Sequence, residues 1–200
     1  STYSNGNRNV IDNSTSSGTI GGSLSTLKIP DDKIYAEMKI IVTDTDDQFG
    51  FGVATTNDPS NNADLTEAGT GIHWNNAGWT PYNATSAGST TAVGASATDV
   101  IQIAYDKANG NIWLGVENTW SGGGEPDTLS TPTYSSVSED FFYCYCKDQA
   151  GGTSAVPQVE FVVEESDFTF TIPTGFKTLC TANMAAPAIS DPSAHFEVLT

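Results

Sequence analysis

The 200-residue sequence has few basic residues and no long apolar run. Seven lysines and arginines stand against 24 acidic residues, which gives a net charge of −17. Proteins that bind nucleic acid need clustered cations to displace counterions from the phosphate backbone, so this composition excludes nucleic acid as a partner. No apolar stretch approaches the ~20 residues of a membrane-spanning helix. No signal-peptide pattern is visible either, so we expect no membrane insertion.

Cysteine and histidine are also scarce. Cys144 and Cys146 stand two residues apart in a strand-like segment, and Cys180 is left over, which predicts free, partly buried thiols. Free thiols fit a protein that folds in a reducing cytoplasm. The only histidines are His73 and His195, and no serine or cysteine of the sequence stands in a recognisable nucleophile motif, so a catalytic triad is not expected.

Helical periodicity is almost absent, and alternation of apolar with polar or small residues takes its place. Alternation predicts strands at residues 34–42, 49–54, 100–106, 112–116, 141–147, 159–164 and 168–172. Asn109-Gly110 separates the third and fourth of these, and this dipeptide favours a two-residue type I′ turn, which predicts a β-hairpin. In residues 49–54 glycine alternates with large residues, so we expect a neighbouring side chain to approach closely there. Many short strands of this kind are typical of an all-β sandwich or barrel.

The segments between and after the strands define the domain organisation. Residues 57–69 and 121–138 lack alternation and are predicted to be long loops. Residues 173–200 contain three prolines and few alternating residues, which indicates an extended strap or linker. We therefore place the sandwich domain in residues 1–172 and the C-terminal strap in residues 173–200.

Several of these segments resemble the SPRY family. Residues 98–106 (TDVIQIAYD) and 110–118 (GNIWLGVEN) are similar to its central hairpin, and residues 35–38 (YAEM), 49–54 (FGFGVA) and 71–74 (GIHW) are similar to other strands. The resemblance implies a concanavalin-like sandwich of two antiparallel sheets. SPRY domains mainly bind peptides or proteins through loops at one end of the sandwich.

The ends of the chain resemble a narrower group. Residues 3–7 (YSNGN), 172–183 (IPTGFKTLCTAN) and 186–196 (APAISDPSAHF) are similar to segments that flank SPRY modules in phage structural proteins. This resemblance implies a non-enzymatic component of the virion surface, on a tail, fibre or capsid, that folds in the host cytoplasm. Its partners would be other virion proteins, copies of itself or a host-surface glycan. The alternative is a carbohydrate-binding module of a secreted cellular protein.

Glycoside hydrolysis is the enzymatic hypothesis to test first, because related sandwich folds include glucanases. Such enzymes need two carboxylates on either side of the scissile bond. The nearest pattern is Glu165-Ser-Asp167, but Phe170 stands where the second glutamate of that pattern belongs. We therefore expect no enzyme.

No cofactor is expected, with calcium left open. Asp44, Asp46 and Asp47 place three carboxylates in one predicted loop, and calcium takes several oxygen ligands. The run lacks the glycine and the distal glutamate of an EF-hand, so a solvated acidic turn is the competing interpretation.

Two binding hypotheses remain. For glycans, the candidates are aromatic residues that stack on sugar rings together with amides that bind hydroxyl groups. These residues are Trp79, Tyr82, Trp120, Asn75, Asn76 and Asn118. For protein assembly, the candidates lie in the strap: Pro173, Phe176, Pro187 and Phe196. The strand-prone residues 197–200 are suited to add to the edge of another sheet. Trp113, in the hairpin, is predicted to be buried in the core.

Overall fold

The computed structural model describes residues 2–4, 8–11, 21–43, 47–55, 69–74, 78–83, 98–147 and 156–180. In these ranges the regular elements are β-strands and short 3-10 turns, so no helix there is long enough to cross a membrane. The strands are β1 (Thr2–Ser4), β2 (Asn9–Ile11), β3 (Gly21–Leu24), β4 (Lys33–Val42), β5 (Gln48–Ala54), β6 (Gly69–Trp74), β7 (Trp79–Asn83), β8 (Val100–Asp106), β9 (Asn111–Val116), β10 (Thr119–Trp120), β11 (Phe141–Lys147), β12 (Gln158–Val162) and β13 (Lys177–Thr178).

The strands form two sheets. The eight-stranded sheet has the order β1-β2-β12-β4-β8-β9-β10, and β13 pairs with β4 in addition. The five-stranded sheet has the order β3-β11-β5-β6-β7. All pairs are antiparallel except β13 with β4. This arrangement confirms the predicted antiparallel sandwich.

The core between the sheets follows from the alternation in the sequence. Because successive side chains point to opposite faces of a strand, every second residue of β4 and of β5 turns inward. These inward residues are Ile34, Ala36 and Met38 on β4 and Phe49, Phe51 and Val53 on β5, all fully buried. Phe51 contacts the rings of Phe142 on β11 and Phe161 on β12 at centroid distances of 6.0 and 5.8 Å.

The predicted close approach at residues 49–54 occurs on the other face of the five-stranded sheet. The ring of Tyr145 on β11 lies against Gly50 on β5, where a Cβ atom would stand only 2.1 Å from the ring. On the opposite side of β11, Tyr143 lies against Gly22 of β3 in the same way. Glycine at these positions therefore leaves the space in which the tyrosine rings pack against the sheet.

The predicted hairpin is confirmed as β8 and β9, but the predicted two-residue type I′ turn is wrong. Asp106 pairs with Asn111, so the loop contains four residues, with a 3-10 turn at Lys107–Asn109. The Asp106 carboxylate accepts hydrogen bonds from the backbone N–H and the side-chain amide of Asn109. This cap stabilises the 3-10 turn, and the left-handed conformation falls on Gly110 alone (φ 67°).

The strand predicted at residues 168–172 is also wrong. This segment has no strand partner among the described residues and crosses the outer face of the eight-stranded sheet. The Glu37 carboxylate accepts hydrogen bonds from the backbone N–H groups of Thr169 (2.8 Å) and Phe170 (2.9 Å). A side chain on β4 thus accepts the hydrogen bonds that these two N–H groups would otherwise donate to a neighbouring strand.

Two covering segments bury this outer face. Residues 121–138, the predicted long loop, contain 3-10 turns at Ser121–Gly123 and Pro126–Thr128. Residues 168–176 complete the cover, and the enclosed aromatic cluster includes Tyr35, Trp113 and Phe176. Trp113 is buried as predicted, although it lies under these segments rather than between the sheets, and its Nε1 donates to the Ser130 carbonyl.

A buried polar network connects the cover to the sheet. Tyr35 donates its hydroxyl proton to Glu37 (2.8 Å) and accepts a hydrogen bond from Gln102 (2.9 Å). The Gln102 carbonyl in turn accepts from the backbone N–H of Asn118 (2.6 Å). Burial, together with the adjacent Glu37 charge, raises the pKa of Tyr35 above its usual range, so the phenol stays protonated.

At one end of the sandwich, Lys107 joins three segments. Its ammonium group donates to the Ile29 carbonyl (2.8 Å) and to the Asp140 carboxylate (2.6 Å). Only 7% of the Lys107 side chain is exposed, so solvent screens this pair less than a surface pair. Hydrogen bonds from Lys107 and then from Lys28 hold the pKa of Asp140 below its usual range.

Replacement of Glu37 by alanine will destabilise the domain by about 3–5 kcal/mol, because two backbone N–H groups and a phenol lose a buried charged acceptor. Glu37→Gln keeps the shape and one acceptor oxygen, so its loss will be smaller. Equilibrium unfolding in urea measures both. A Glu37→Ala variant within 0.5 kcal/mol of the wild type contradicts the role assigned to this carboxylate.

Lys107→Met will lower the free energy of unfolding by roughly 1.5–3 kcal/mol at pH 7, the range of a hydrogen bond to a charged group. The folded pKa of Asp140 lies below its unfolded value of about 3.9, so the stabilisation is present above that pH. It is lost as the pH falls through the lower folded pKa. Urea unfolding of both proteins from pH 7 to pH 2 tests this: a difference that keeps its pH 7 value down to pH 2 contradicts the pairing.

Candidate functional site

A cavity of about 460 Å³ opens on one flank of the sandwich, between the β3 side of the five-stranded sheet and the β12 side of the other. Its apolar lining comes from Val10, Leu27, Phe142, Phe161, Val163 and Leu179. Polar groups also line it, namely Arg8, Ser23, Ser25, Thr26 and Cys144. A concave, mostly apolar space of this size with a few polar groups is typical of a binding site.

Strand lengths account for the position of the cavity. β2 has only three residues and pairs with the Gln158–Glu160 part of β12. The Phe161 N–H still donates to the Arg8 carbonyl (2.8 Å), and Val163 lies beyond this pairing. On the opposite sheet, β3 ends at Leu24, and the chain turns through Leu27 towards β4. The two sheets therefore part at this flank, and apolar side chains line the gap.

The far wall depends on the C-terminal part of the described chain. Lys177 and Thr178 of β13 pair with Ile34 and Tyr35 of β4, next to the stretch of β4 that β12 covers. This pairing places Leu179 in the core and at the cavity.

Arg8 is the charged residue of the lining, and its charge is already balanced. It donates to Asp167 (2.5 Å), and a second guanidinium nitrogen lies 3.6 Å from Glu160. The hydrogen bond with Asp167 raises the pKa of Arg8 and holds the pKa of Asp167 below its usual range. With Glu164 also close enough to act on Arg8, carboxylates outnumber the guanidinium at this rim.

The lining contains a thiol but no acid–base pair. Burial raises the pKa of Cys144 to about 12, so the reactive thiolate is scarce at neutral pH. Among the described residues that line the cavity, none is a carboxylate or a histidine. The lining is therefore suited to hold an apolar group.

The residues predicted to bind glycans do not form one exposed surface. Trp79 is fully buried in the core between the sheets, and its indole donates to Asp99. Tyr82 is 1% exposed and lies on the outer face of the five-stranded sheet. Half-buried Trp120 belongs to the eight-stranded sheet, beside exposed Asn118. Asn75 and Asn76 lie outside the described residues.

The calcium and strap predictions fall largely outside the described residues. Asp44 and Asp46 are not described, and Asp47 is buried. No group of three or more metal-binding side chains occurs within the described ranges. In the strap, Pro173 and Phe176 are buried against the domain, whereas Pro187 and Phe196 are not described. The domain boundary at residue 172 stays a prediction.

The Glu165-Ser-Asp167 sequence, the nearest match to a glycosidase pattern, lies at the rim of the cavity beside Arg8. Glu165–Asp167 forms a 3-10 turn rather than a strand, and Asp167 is engaged by Arg8. Phe170 contributes its backbone N–H to Glu37. The absence of catalysis stays a prediction.

Sequence reasoning missed the cavity. Its lining comes from five segments between residues 8 and 179, and none of them carries a local motif. The one local feature that could have indicated a binding surface is the segment Leu24-Ser-Thr-Leu27, in which two apolar residues enclose two small hydroxyl residues.

The comparisons with known proteins agree with the fold. No protein-family model matches the sequence, and no curated protein is significantly similar to it. The structure is similar to the SPRY domain of human HERC1, with a TM-score of 0.55 and 15% identity over 80% of this chain and 90% of that domain. The PSpry domain of TRIM65 gives a TM-score of 0.49 at 10% identity, over 82% of this chain and 85% of that domain. A sialidase of Trypanosoma rangeli gives 0.41 at 14% identity, with 72% of this chain and 24% of the sialidase covered.

The likeness to the HERC1 domain confirms a SPRY-like, concanavalin-like sandwich. It extends to the fold alone, so the resemblance of the chain ends to phage structural proteins stays a prediction.

In the native protein, Cys180 will react with a thiol reagent well before Cys144 and Cys146. None of the three cysteines forms a disulfide, but Cys180 is half-buried while the other two are buried, and burial suppresses the thiolate of Cys144. Titration with Ellman's reagent at pH 8 will therefore count about one fast thiol before denaturant is added. A Cys180→Ser variant that keeps a fast thiol contradicts the burial of the other pair.

Proposed function

We propose that this chain is a non-catalytic protein-binding domain on a phage virion, and that the flank cavity is its contact site. The observation that carries the proposal is the cavity itself, which is mostly apolar and open to the side. Its lining offers no acid–base pair among the described residues, so it is suited to hold a side chain rather than to cleave a bond. The virion location rests on the resemblance of the chain ends to phage structural proteins.

The charge distribution supports a protein partner rather than a nucleic acid. Arg8, Lys28, Lys107 and Lys177 pair with carboxylates of the domain itself. The 24 acidic residues outnumber the seven lysines and arginines, so the chain carries a net charge of −17. A surface of this kind attracts cationic partners and keeps particle proteins from adhering to one another.

A glycan-binding module of a secreted protein is the competing proposal. It has less support because Trp79 and Tyr82 are buried, so their ring faces are not available for stacking. Trp120 is half-buried and packs against the cluster under the covering segments.

Antibodies raised against the purified chain will label intact phage particles from the source culture in immunogold electron microscopy. Antibodies against a host cytoplasmic protein serve as the control. Detection of the chain only in the soluble fraction of infected cells contradicts the virion location.

The same purified chain will release no reducing sugar above the buffer blank from a panel of bacterial surface polysaccharides. A known glycosidase is the positive control. Depolymerisation that survives chromatographic purification contradicts the non-catalytic role, and saturable binding on a glycan array favours the competing proposal.

A further inference from the structure

We propose that the free edge of β3 and the adjoining cavity together bind an extended, cationic peptide segment of a partner protein as an added strand. This inference rests on the proposed function, since it specifies the chemistry of the protein that the domain binds. The edge supplies main-chain hydrogen bonds, and the cavity receives side chains.

The backbone of β3 presents groups at this edge that pair with no other described strand, although the Leu24 carbonyl accepts a hydrogen bond from the Ser23 hydroxyl (3.3 Å). β3 is the last strand of the five-stranded sheet, and no other described strand pairs with its outer side. Ser25 N–H donates to the Phe142 carbonyl at 2.8 Å, which makes these two residues a hydrogen-bonded pair. Because such pairs alternate along an antiparallel ladder, the N–H and C=O groups of Gly22 and Leu24 point away from β11.

The two edges of this sheet differ in how they are protected. Edge strands of natural proteins commonly carry proline or charged residues that prevent further pairing. β7, at the opposite edge, contains Pro81. β3 has the sequence Gly-Gly-Ser-Leu, with neither proline nor charge. Among the described residues, this edge is therefore open to an added strand.

The cavity lies where the side chains of an added strand would point. Successive side chains of a strand alternate between faces, so every second residue would enter the space between the sheets beside Ser23. Leu27, Val163 and Leu179 line that space. A partner segment with apolar residues at alternate positions fits this lining, and polar residues at the other positions would face outward.

The charges around the cavity favour basic residues in the partner on either side of such an apolar segment. Glu160, Glu164 and Asp167 surround the guanidinium of Arg8, and Glu165 is exposed nearby. Lys39, which donates to the Asp167 carbonyl, is a second cation at this rim, but the carboxylates remain in excess. Lysine or arginine on either side of the apolar residues would balance this excess. A second copy of this chain, with its net charge of −17, is the less suitable partner.

Fluorescence anisotropy with a labelled synthetic peptide tests the proposal. The probe is ten residues long, with valine and threonine alternating in the centre and two lysines at each end. The matched control has glutamate in place of every lysine. The lysine peptide will bind the full chain at least tenfold more tightly than the glutamate peptide in low salt, and equal affinity overturns the charge argument.

Leu24→Pro removes the outward N–H of β3 without breaking its ladder with β11, since proline is tolerated on an edge strand. Leu24→Ala is the matched control, because it loses the same side chain but keeps the N–H group. The proline variant will bind the lysine peptide at least tenfold more weakly than the alanine variant. Equal affinities overturn strand addition.

A second arm leaves the protein unchanged, so the test does not depend on the folding of Leu24→Pro. Two versions of the lysine peptide carry N-methyl groups on alternate peptide bonds, one version along each edge of the extended peptide. The methyl groups prevent that edge from forming hydrogen bonds with β3. One of the two methylated peptides will lose at least tenfold in affinity, and unchanged binding of both overturns the proposal. A tenfold gain in affinity on deletion of residues 181–200 also overturns it, because the site would then belong to the chain's own C-terminal segment.

The two proposals fail separately. Particle labelling without peptide binding removes strand addition and leaves the virion domain intact. Peptide binding without particle labelling keeps the edge site and removes the virion location.

Discussion

The rest of this structure depends on the hydrogen bonds that the buried Glu37 carboxylate accepts. Burial of a charge is costly unless hydrogen bonds replace its hydration, and here Tyr35, Thr169 and Phe170 each donate to it. The contact fixes a segment without strand structure across β4. The following residues can then place Lys177 and Thr178 beside β4 as β13. The outer face of the eight-stranded sheet is buried as a result.

The candidate site is a consequence of the same arrangement. Leu179 follows β13 directly and forms one wall of the cavity, while Phe161 and Val163 on and after β12 form another. The opening exists because β2 is short and β3 has no further neighbour among the described strands. An unpaired backbone edge and an apolar gap therefore meet at one flank. The cavity thus places apolar side chains that can pack beside backbone groups that can pair.

Local patterns in the sequence predicted the long core strands β4, β5, β8, β9, β11 and β12, because alternation records which side chains face the core. The short strands, such as β2 and β3, carry too few residues for alternation to mark them. Residues 34–42 and 49–54 became β4 and β5 with the expected inward faces, and the β8–β9 hairpin formed where Asn109-Gly110 indicated a turn. The errors arose where a side chain supplied the hydrogen bonds. The Asp106 carboxylate decided the turn type, and Glu37, more than a hundred residues away in sequence, kept residues 168–172 out of a sheet.

The sequence by itself thus determined the all-β class, the inward faces of the main strands, the free cysteines and the acidic surface. The tertiary structure alone decided which outer faces are covered, where the sheets part and which aromatic residues remain exposed. Trp79 and Tyr82 had the composition of a glycan site, yet both are buried. The physical reason is the distance in sequence between the residues that determine each property. Alternation depends on neighbours along one strand, whereas burial of a sheet face depends on segments that pack on it from distant parts of the chain.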